Sequence, residues 1–261
     1  MKLPIYQIDA FAENIFEGNP AAVCPLEEWL PEQVMQSIAE ENNVSETAFF
    51  VPTERGFHIR WFTPVAEVDL CGHATLASAY VIFTHLGFEE KIINFESKSG
   101  LLTVKQNEDL LIMSFPSQPP SPCQIPDEIV QEFQTTPVEC LKSEDYIVVF
   151  GSEEEIIAAQ PDFHALSILD LRGVAITAKS NNYDFIARFF APKYGVNEDP
   201  VTGSAYTQLV PYWSKKMGTI KLHAKQVSRR GGEVLCELVG DRVSIAGKAV
   251  TYLVGEIEIN A

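Results

Sequence analysis

Three consecutive residues, Cys71-Gly72-His73, set a thiol, a glycine and an imidazole side by side in the stretch DLCGHAT. A thiolate can act as nucleophile or base, and an imidazole exchanges its proton near neutral pH. A second segment, Thr202-Gly203-Ser204, repeats the frame with hydroxyls in place of thiol and imidazole, and Asp199 stands just ahead of it. The echo extends outwards: Glu67-x-x-x-Cys71-Gly72-His73-Ala74 matches Glu198-x-x-x-Thr202-Gly203-Ser204-Ala205. Different polar groups on a shared frame point to a division of labour between acid/base and orienting residues. A helix entrance at Gly72 would lower the His73 pKa and favour neutral imidazole, and Asp199 would offset this if it lay opposite. A further carboxyl, Glu46 in NNVSETAFF, precedes the apolar Ala48-Phe49-Phe50. In an apolar cleft such a group carries a proton at neutral pH. Residue physics alone favours the plainer alternative, a surface glutamate at a strand end.

Elements that would position these groups can be read from periodicity. LPIYQIDAF, ETAFFVP, GFHIRWFT, KIINFES, LLTVKQ and LLIMSFP alternate or cluster as strands. Pro31 opens a helix that runs to about Asn42. A second helix spans about Gly72 to His85, with Gly87 placed for its C-terminal cap. In the second half, YIVVFG, VAITAKS and YDFIARFF read as strands, and SEEEIIAA as a helix with a Ser N-cap. Arg60-Trp61-Phe62-Thr63-Pro64 recurs as Arg188-Phe189-Phe190-Ala191-Pro192, and Gly72 to Gly87 has the same length as Gly203 to Gly218. Ordered matches in motif, helix length and following strands predict two similar α+β domains, each a curled, mostly antiparallel sheet around a central helix. The helices starting at Gly72 and Gly203 are apolar on most faces and therefore buried. Pro211 should kink the second or shift its hydrogen bonding. The proline-dense PSQPPSP (residues 116–122) reads as a linker, giving domains 1–115 and 123–261, with the C-terminal strand or tail able to pack on the first. If the domains face each other, two helix N-termini converge on a cleft suited to a carboxylate.

Composition removes other functions. The 261 residues carry a formal charge of −17 and are 46% hydrophobic, so phosphate backbones and anionic membranes are repelled. Five scattered cysteines without C-x-x-C fit a reducing cytoplasm better than a disulfide framework. No secretory leader or membrane-spanning run is expected. The five histidines show no metal spacing, and neither G-x-G-x-x-G, a Walker loop nor G-x-S-x-G occurs. No metal or nucleotide cofactor is expected. GNPAAV and RRGG (from Gly18 and Arg229) read first as turns that can also present donors to a ligand.

DAF, GNPAAV, NNVSETAFF, RWFTPVAEVDLCGHATL, RFFAPKYGVNEDPVTGSA and RRGG, in that order along nearly the whole chain, resemble the phenazine-biosynthesis PhzF family. The resemblance implies the diaminopimelate epimerase fold, with two pseudo-symmetric domains, an active site between them, a homodimer and no cofactor. The family's type activity is isomerisation of trans-2,3-dihydro-3-hydroxyanthranilate by a proton or hydrogen shift. Matching the motifs residue by residue implies an acid/base role for Glu46, with His73, Asp199 and Ser204 completing the catalytic group. Gly72, Gly203, Asn19 and Ser45 are assigned to substrate binding. Related epimerases and racemases use a cysteine at each helix entrance; here those positions hold Cys71 and Thr202. A threonine hydroxyl does not replace a thiolate without an adjacent base, so two-thiol racemisation should be lost and Cys71 reads as a relic or packing residue.

The expectation is therefore a cofactor-independent isomerase of a small carboxylated metabolite. Glu46 moves the proton, His73 and Asp199 hold the substrate's polar group, and Ser204 with the Gly72 and Gly203 amides binds its carboxylate. The alternatives are an amino-acid epimerase using Cys71 and a non-catalytic binding protein on the same fold.

Overall fold

Strand Lys2–Ala10 lies antiparallel to both Asn19–Pro25 and Ala249–Glu258. Through it the chain's last strand joins the first. The computed structural model describes residues 1–133 and 135–259. The chain divides into two units: Met1–Ser114 with Ala246–Ala261, and Phe115–Ile245. The expected second domain of 123–261 thus gives its last strand to the first unit, the alternative place allowed for that tail. The reason is the ladder from Lys2↔Glu258 to Ala10↔Ala249. Among the described residues no helix is long and apolar enough to cross a membrane.

In the first unit, Asn19–Pro25 runs parallel to Glu46–Thr53, with helix Glu32–Asn42 as the crossover. Glu46–Thr53 pairs antiparallel with Gly56–Phe62. That strand is antiparallel to the short Glu67–Val68 and parallel to Ile92–Ser97, reached through helix Gly72–His85. Ile92–Ser97 then turns back as Gly100–Asn107. The second unit repeats these steps. Tyr146–Val149 is parallel to Val174–Lys179, which is antiparallel to Phe185–Ala191. Phe185–Ala191 is antiparallel to Val196–Asp199 and parallel to Lys221–Gln226, reached through helix Gly203–Met217. Lys221–Gln226 pairs back with Gly232–Val239. Each parallel pair needs a long crossover connection, and the duplicated helices supply it in both units.

Both long helices are buried on most faces, as their sequences require. Helix Gly72–His85 buries His73 through Ala79 together with Val81 and Ile82. Its small residues let it lie close to strands Lys2–Ala10, Asn19–Pro25 and Glu46–Thr53. In helix Gly203–Met217 the missing N–H of Pro211 leaves the Thr207 carbonyl without its helical donor. The backbone N–H of Gln118 takes that place at 2.9 Å. PSQPPSP is therefore more than a linker: Gln118 caps the interrupted helix, and Ser121–Pro122 forms a short strand against Leu141–Lys142. Proline is tolerated there because the strand is only two residues long and forms the end of its ladder.

The repeated arginine and glutamate also have a structural explanation. Arg60 donates to Glu67 through Nε and Nη2 at 2.7 and 2.8 Å. Arg188 does the same to Glu198 at 2.7 and 3.0 Å. Each guanidinium lies over the phenylalanine two residues on, Phe62 at 5.2 Å and Phe190 at 5.1 Å. These two-point pairs tie a central strand to the segment that leads into each buried helix. The hydrogen bond from Arg60 holds the Glu67 carboxyl down to about 2, against the opposing effect of burial. A carboxyl whose pKa is lower folded than unfolded stabilises the fold above its unfolded value of about 4.5. That contribution is lost as pH falls towards the folded value. Urea midpoints measured through this acid window should therefore fall more steeply for wild type than for Glu67→Gln. Parallel curves would show that the pair adds no pH-dependent stability.

Candidate active site

The parallel pairing of Asn19–Pro25 with Glu46–Thr53 brings the starts of both strands to one edge of the first unit's sheet. Helix Gly72–His85 begins at that edge. Cys71 is its N-cap, in extended conformation, and supplies no side-chain cap. Asn19 is fully buried, His73 is 6% exposed, and Glu46 is partly buried. The loop before Asn19 is wound unusually tightly. Phe11, Phe16 and Gly18 all have positive φ, and the buried Asp9 carboxylate accepts the Phe16 N–H at 2.9 Å. A Cβ on Gly18 would lie 2.1 Å from the Ala10 carbonyl oxygen, at φ +63°. Gly18→Ala is expected to cost about 2 kcal/mol or more and to displace Asn19. Thermal denaturation together with the amide chemical shifts of residues 19–24 checks this. An unshifted midpoint would show that the loop yields.

Four side chains form a connected line. Ser45 Oγ donates to Asn19 Oδ1 at 3.0 Å, and Asn19 Nδ2 lies 3.2 Å from His73 Nδ1. On the other face of the ring, His73 Nε2 is 3.0 Å from Glu46 Oε2. That approach is a charge contact but lacks the alignment of a hydrogen bond, and neither atom has another hydrogen-bond partner among the described residues. A buried donor and acceptor left in this state are set to receive a ligand's polar group. Cys71 Sγ lies 3.6 Å from His73 Nδ1.

Burial works against a charged His73, yet Cys71 and Glu46 beside it raise its pKa well above 6.5. The helix-entrance argument predicts the opposite direction. It fails because the Cys71 sulfur and the Glu46 carboxylate beside the ring together outweigh the partial charge of a helix terminus. Burial, reinforced by Glu46, pushes the Cys71 thiol up. The sulfur is therefore an uncharged thiol at neutral pH.

The donor atoms of Glu46, Cys71 and His73 all lie within 4.8 Å of one another, a grouping that could in principle hold a soft or borderline metal. The carboxylate meets Nε2 and the thiol meets Nδ1, so the two approach different ring nitrogens. That arrangement suits proton exchange through the ring better than shared ligation of one ion.

Asp199, Thr202, Gly203 and Ser204 are brought together in the second unit. Thr202 is the N-cap of helix Gly203–Met217, the counterpart of Cys71. Its hydroxyl donates to Asp199 Oδ2 at 2.5 Å. Gln226, buried at the end of its strand, accepts the Thr202 N–H at 2.9 Å and donates to the Asp199 carbonyl at 2.7 Å. Ser204 is partly buried, and its carbonyl accepts from Thr207. The sequence reading missed Gln226; a glutamine ending an alternating strand gives no sign that it will be buried. Ser228-Arg229-Arg230 is a bend, closed by Ser228 Oγ accepting the Gly231 N–H at 3.0 Å, and Gly232 opens the next strand.

This fold has known relatives. The PhzC-PhzF family, described as phenazine biosynthesis-like protein, matches residues 8–255. The chain belongs to that family. A Pseudomonas aeruginosa protein named as an uncharacterized isomerase is 49% identical over 259 residues, covering 99% of this chain and 100% of its own length. The crystal structure of a PhzF family protein from Enterococcus faecalis superposes with a TM-score of 0.97 at 46% identity, covering 99% and 100% of the two chains. A predicted epimerase from Pseudomonas aeruginosa has a TM-score of 0.73 at 19% identity, with 99% and 100% covered, and shares the fold alone. The architecture is thus that of the diaminopimelate epimerase-like PhzF proteins, and the relatives place the chain among isomerase-like proteins.

Proposed function

We propose that this PhzF family member is a cofactor-independent isomerase that moves a proton within a small carboxylated metabolite. The reaction is of the type known for trans-2,3-dihydro-3-hydroxyanthranilate. The observation that carries this reading is the Glu46–His73 contact: Glu46 Oε2 and His73 Nε2 lie 3.0 Å apart, and neither atom has a hydrogen-bond partner among the described residues. Glu46 removes a proton from a substrate carbon and returns it to another. His73 holds the developing charge through Nε2. The Gly72 amide at the helix start binds the carboxylate, where unpaired N–H groups and the helix dipole favour an anion. Asp199, Ser204 and the Gly203 amide complete the assignment; their support is the motif match and the order within their own unit. A homodimer in the cytoplasm goes with this reading, on the resemblance and the composition.

Turnover in D2O tests it. With trans-2,3-dihydro-3-hydroxyanthranilate and related small acids, deuterium should appear at the carbon that gains the proton. Exchange at an amino-acid α-carbon, abolished by Cys71→Ser, would replace isomerisation with epimerisation. Tight binding of a small acid without any exchange would leave a binding protein.

A further inference from the structure

We propose that Asn19 and Ser45 are positioning residues for His73 rather than substrate contacts, together fixing which ring nitrogen carries the proton. The inference deepens the isomerase reading and rests on it for its catalytic meaning. Asn19 is fully buried and its amide spans two groups, Ser45 Oγ at 3.0 Å and His73 Nδ1 at 3.2 Å. The Ser45 hydroxyl, by donating to Oδ1, turns the amide NH2 towards Nδ1. A bare Nδ1 accepts from it, so the proton of a neutral ring sits on Nε2, facing Glu46.

An amide at this position does something that neither a carboxylate nor an aliphatic side chain can. A carboxylate only accepts and would favour a proton on Nδ1; an aliphatic group would leave Nδ1 unpartnered. Among the described residues, the titratable groups facing the ring are Glu46 from strand Glu46–Thr53 and Cys71 from the cap of its own helix. Cys71 is a weaker partner for Nδ1, at 3.6 Å through sulfur.

The test is nitrogen NMR on protein labelled at histidine, with the His73 signals assigned by their loss in His73→Gln. Titrated to the pH at which the ring is neutral, wild type should show a bare Nδ1 and a protonated Nε2. A neutral ring protonated on Nδ1 overturns the proposal. Ser45→Ala, at a partly exposed position, releases the amide. It should give a mixture of tautomers, a shifted pH–rate profile and about a tenfold lower kcat with KM nearly unchanged. A raised KM with kcat retained would make Ser45 and Asn19 substrate contacts. An unmoved tautomer and pH profile would deny Ser45 its orienting role. The NMR measurement needs no substrate, so its failure is separate from failure of the isomerase reading, which turnover alone decides.

Discussion

Replacing Glu46 by Gln should lower turnover about a thousandfold while leaving the fold intact. General acid/base groups contribute roughly 10²–10⁴-fold, and an amide cannot carry the proton. The change keeps the shape of the side chain at the first residue of a strand, where it is only partly buried. Removing the carboxylate also removes a group that raises the His73 pKa, so His73 should titrate at lower pH in the variant. Two readouts therefore move together, kcat on a substrate and the His73 titration. Near-wild-type turnover by Glu46→Gln would end the assignment of Glu46 as proton carrier. A lost kcat with an unmoved His73 would show that the two groups act separately.

The largest stability effect is expected at Arg172. Asp145 is completely buried and accepts from Arg172 Nε at 2.9 Å, from Arg172 Nη2 at 2.6 Å and from Gln208 Nε2. Gln208 in turn accepts the Asp145 backbone N–H at 3.0 Å, and the guanidinium lies over Phe189 at 5.4 Å. Arg172→Met keeps much of the packing on Phe189 but leaves a buried carboxylate with a single amide partner. Breaking such a pair costs about 3–5 kcal/mol, equivalent to a drop in melting temperature on the order of 10 °C for a chain of this size. Adding Asp145→Asn in the Arg172→Met background should recover part of the loss, because a neutral amide needs less compensation than a charge. Urea unfolding of the three variants measures both steps. A loss under about 1 kcal/mol for Arg172→Met would mean that water or Gln208 already satisfies Asp145.

The duplication was legible because its signals are local and repeated. Arg60 to Pro64 and Arg188 to Pro192, the spacing from each helix-opening glycine to its closing one, and the strands that follow all lie within short windows. The strand order reproduces them step by step in the two units. The candidate catalytic residues were legible in type, through motif spacing and resemblance. Their partners were not. Nothing in NNVSETAFF says that Glu46 meets His73, because parallel pairing with Asn19–Pro25 is what carries it there. Asn19 and Ser45 were assigned to substrate. Their hydrogen bond to each other, and that of Asn19 to His73, appear only once the loop before Asn19 has been wound through three residues of positive φ.

The sequence by itself determined the two-unit α+β plan, the two buried helices with glycine entrances, and the residue types at each entrance. These follow from periodicity, from turn chemistry and from the identity of the side chains. Tertiary structure decided which strand closes the first unit, what takes the carbonyl freed by Pro211, and which way the His73 pKa moves. Each of these depends on a contact between residues far apart in the chain: Ala249–Glu258 on Lys2–Ala10, Gln118 on Thr207, and Glu46 against His73. A histidine at a helix start is pushed one way by its own helix. Only the fold could bring in the Glu46 carboxylate that, with the neighbouring Cys71 sulfur, pushes it the other way.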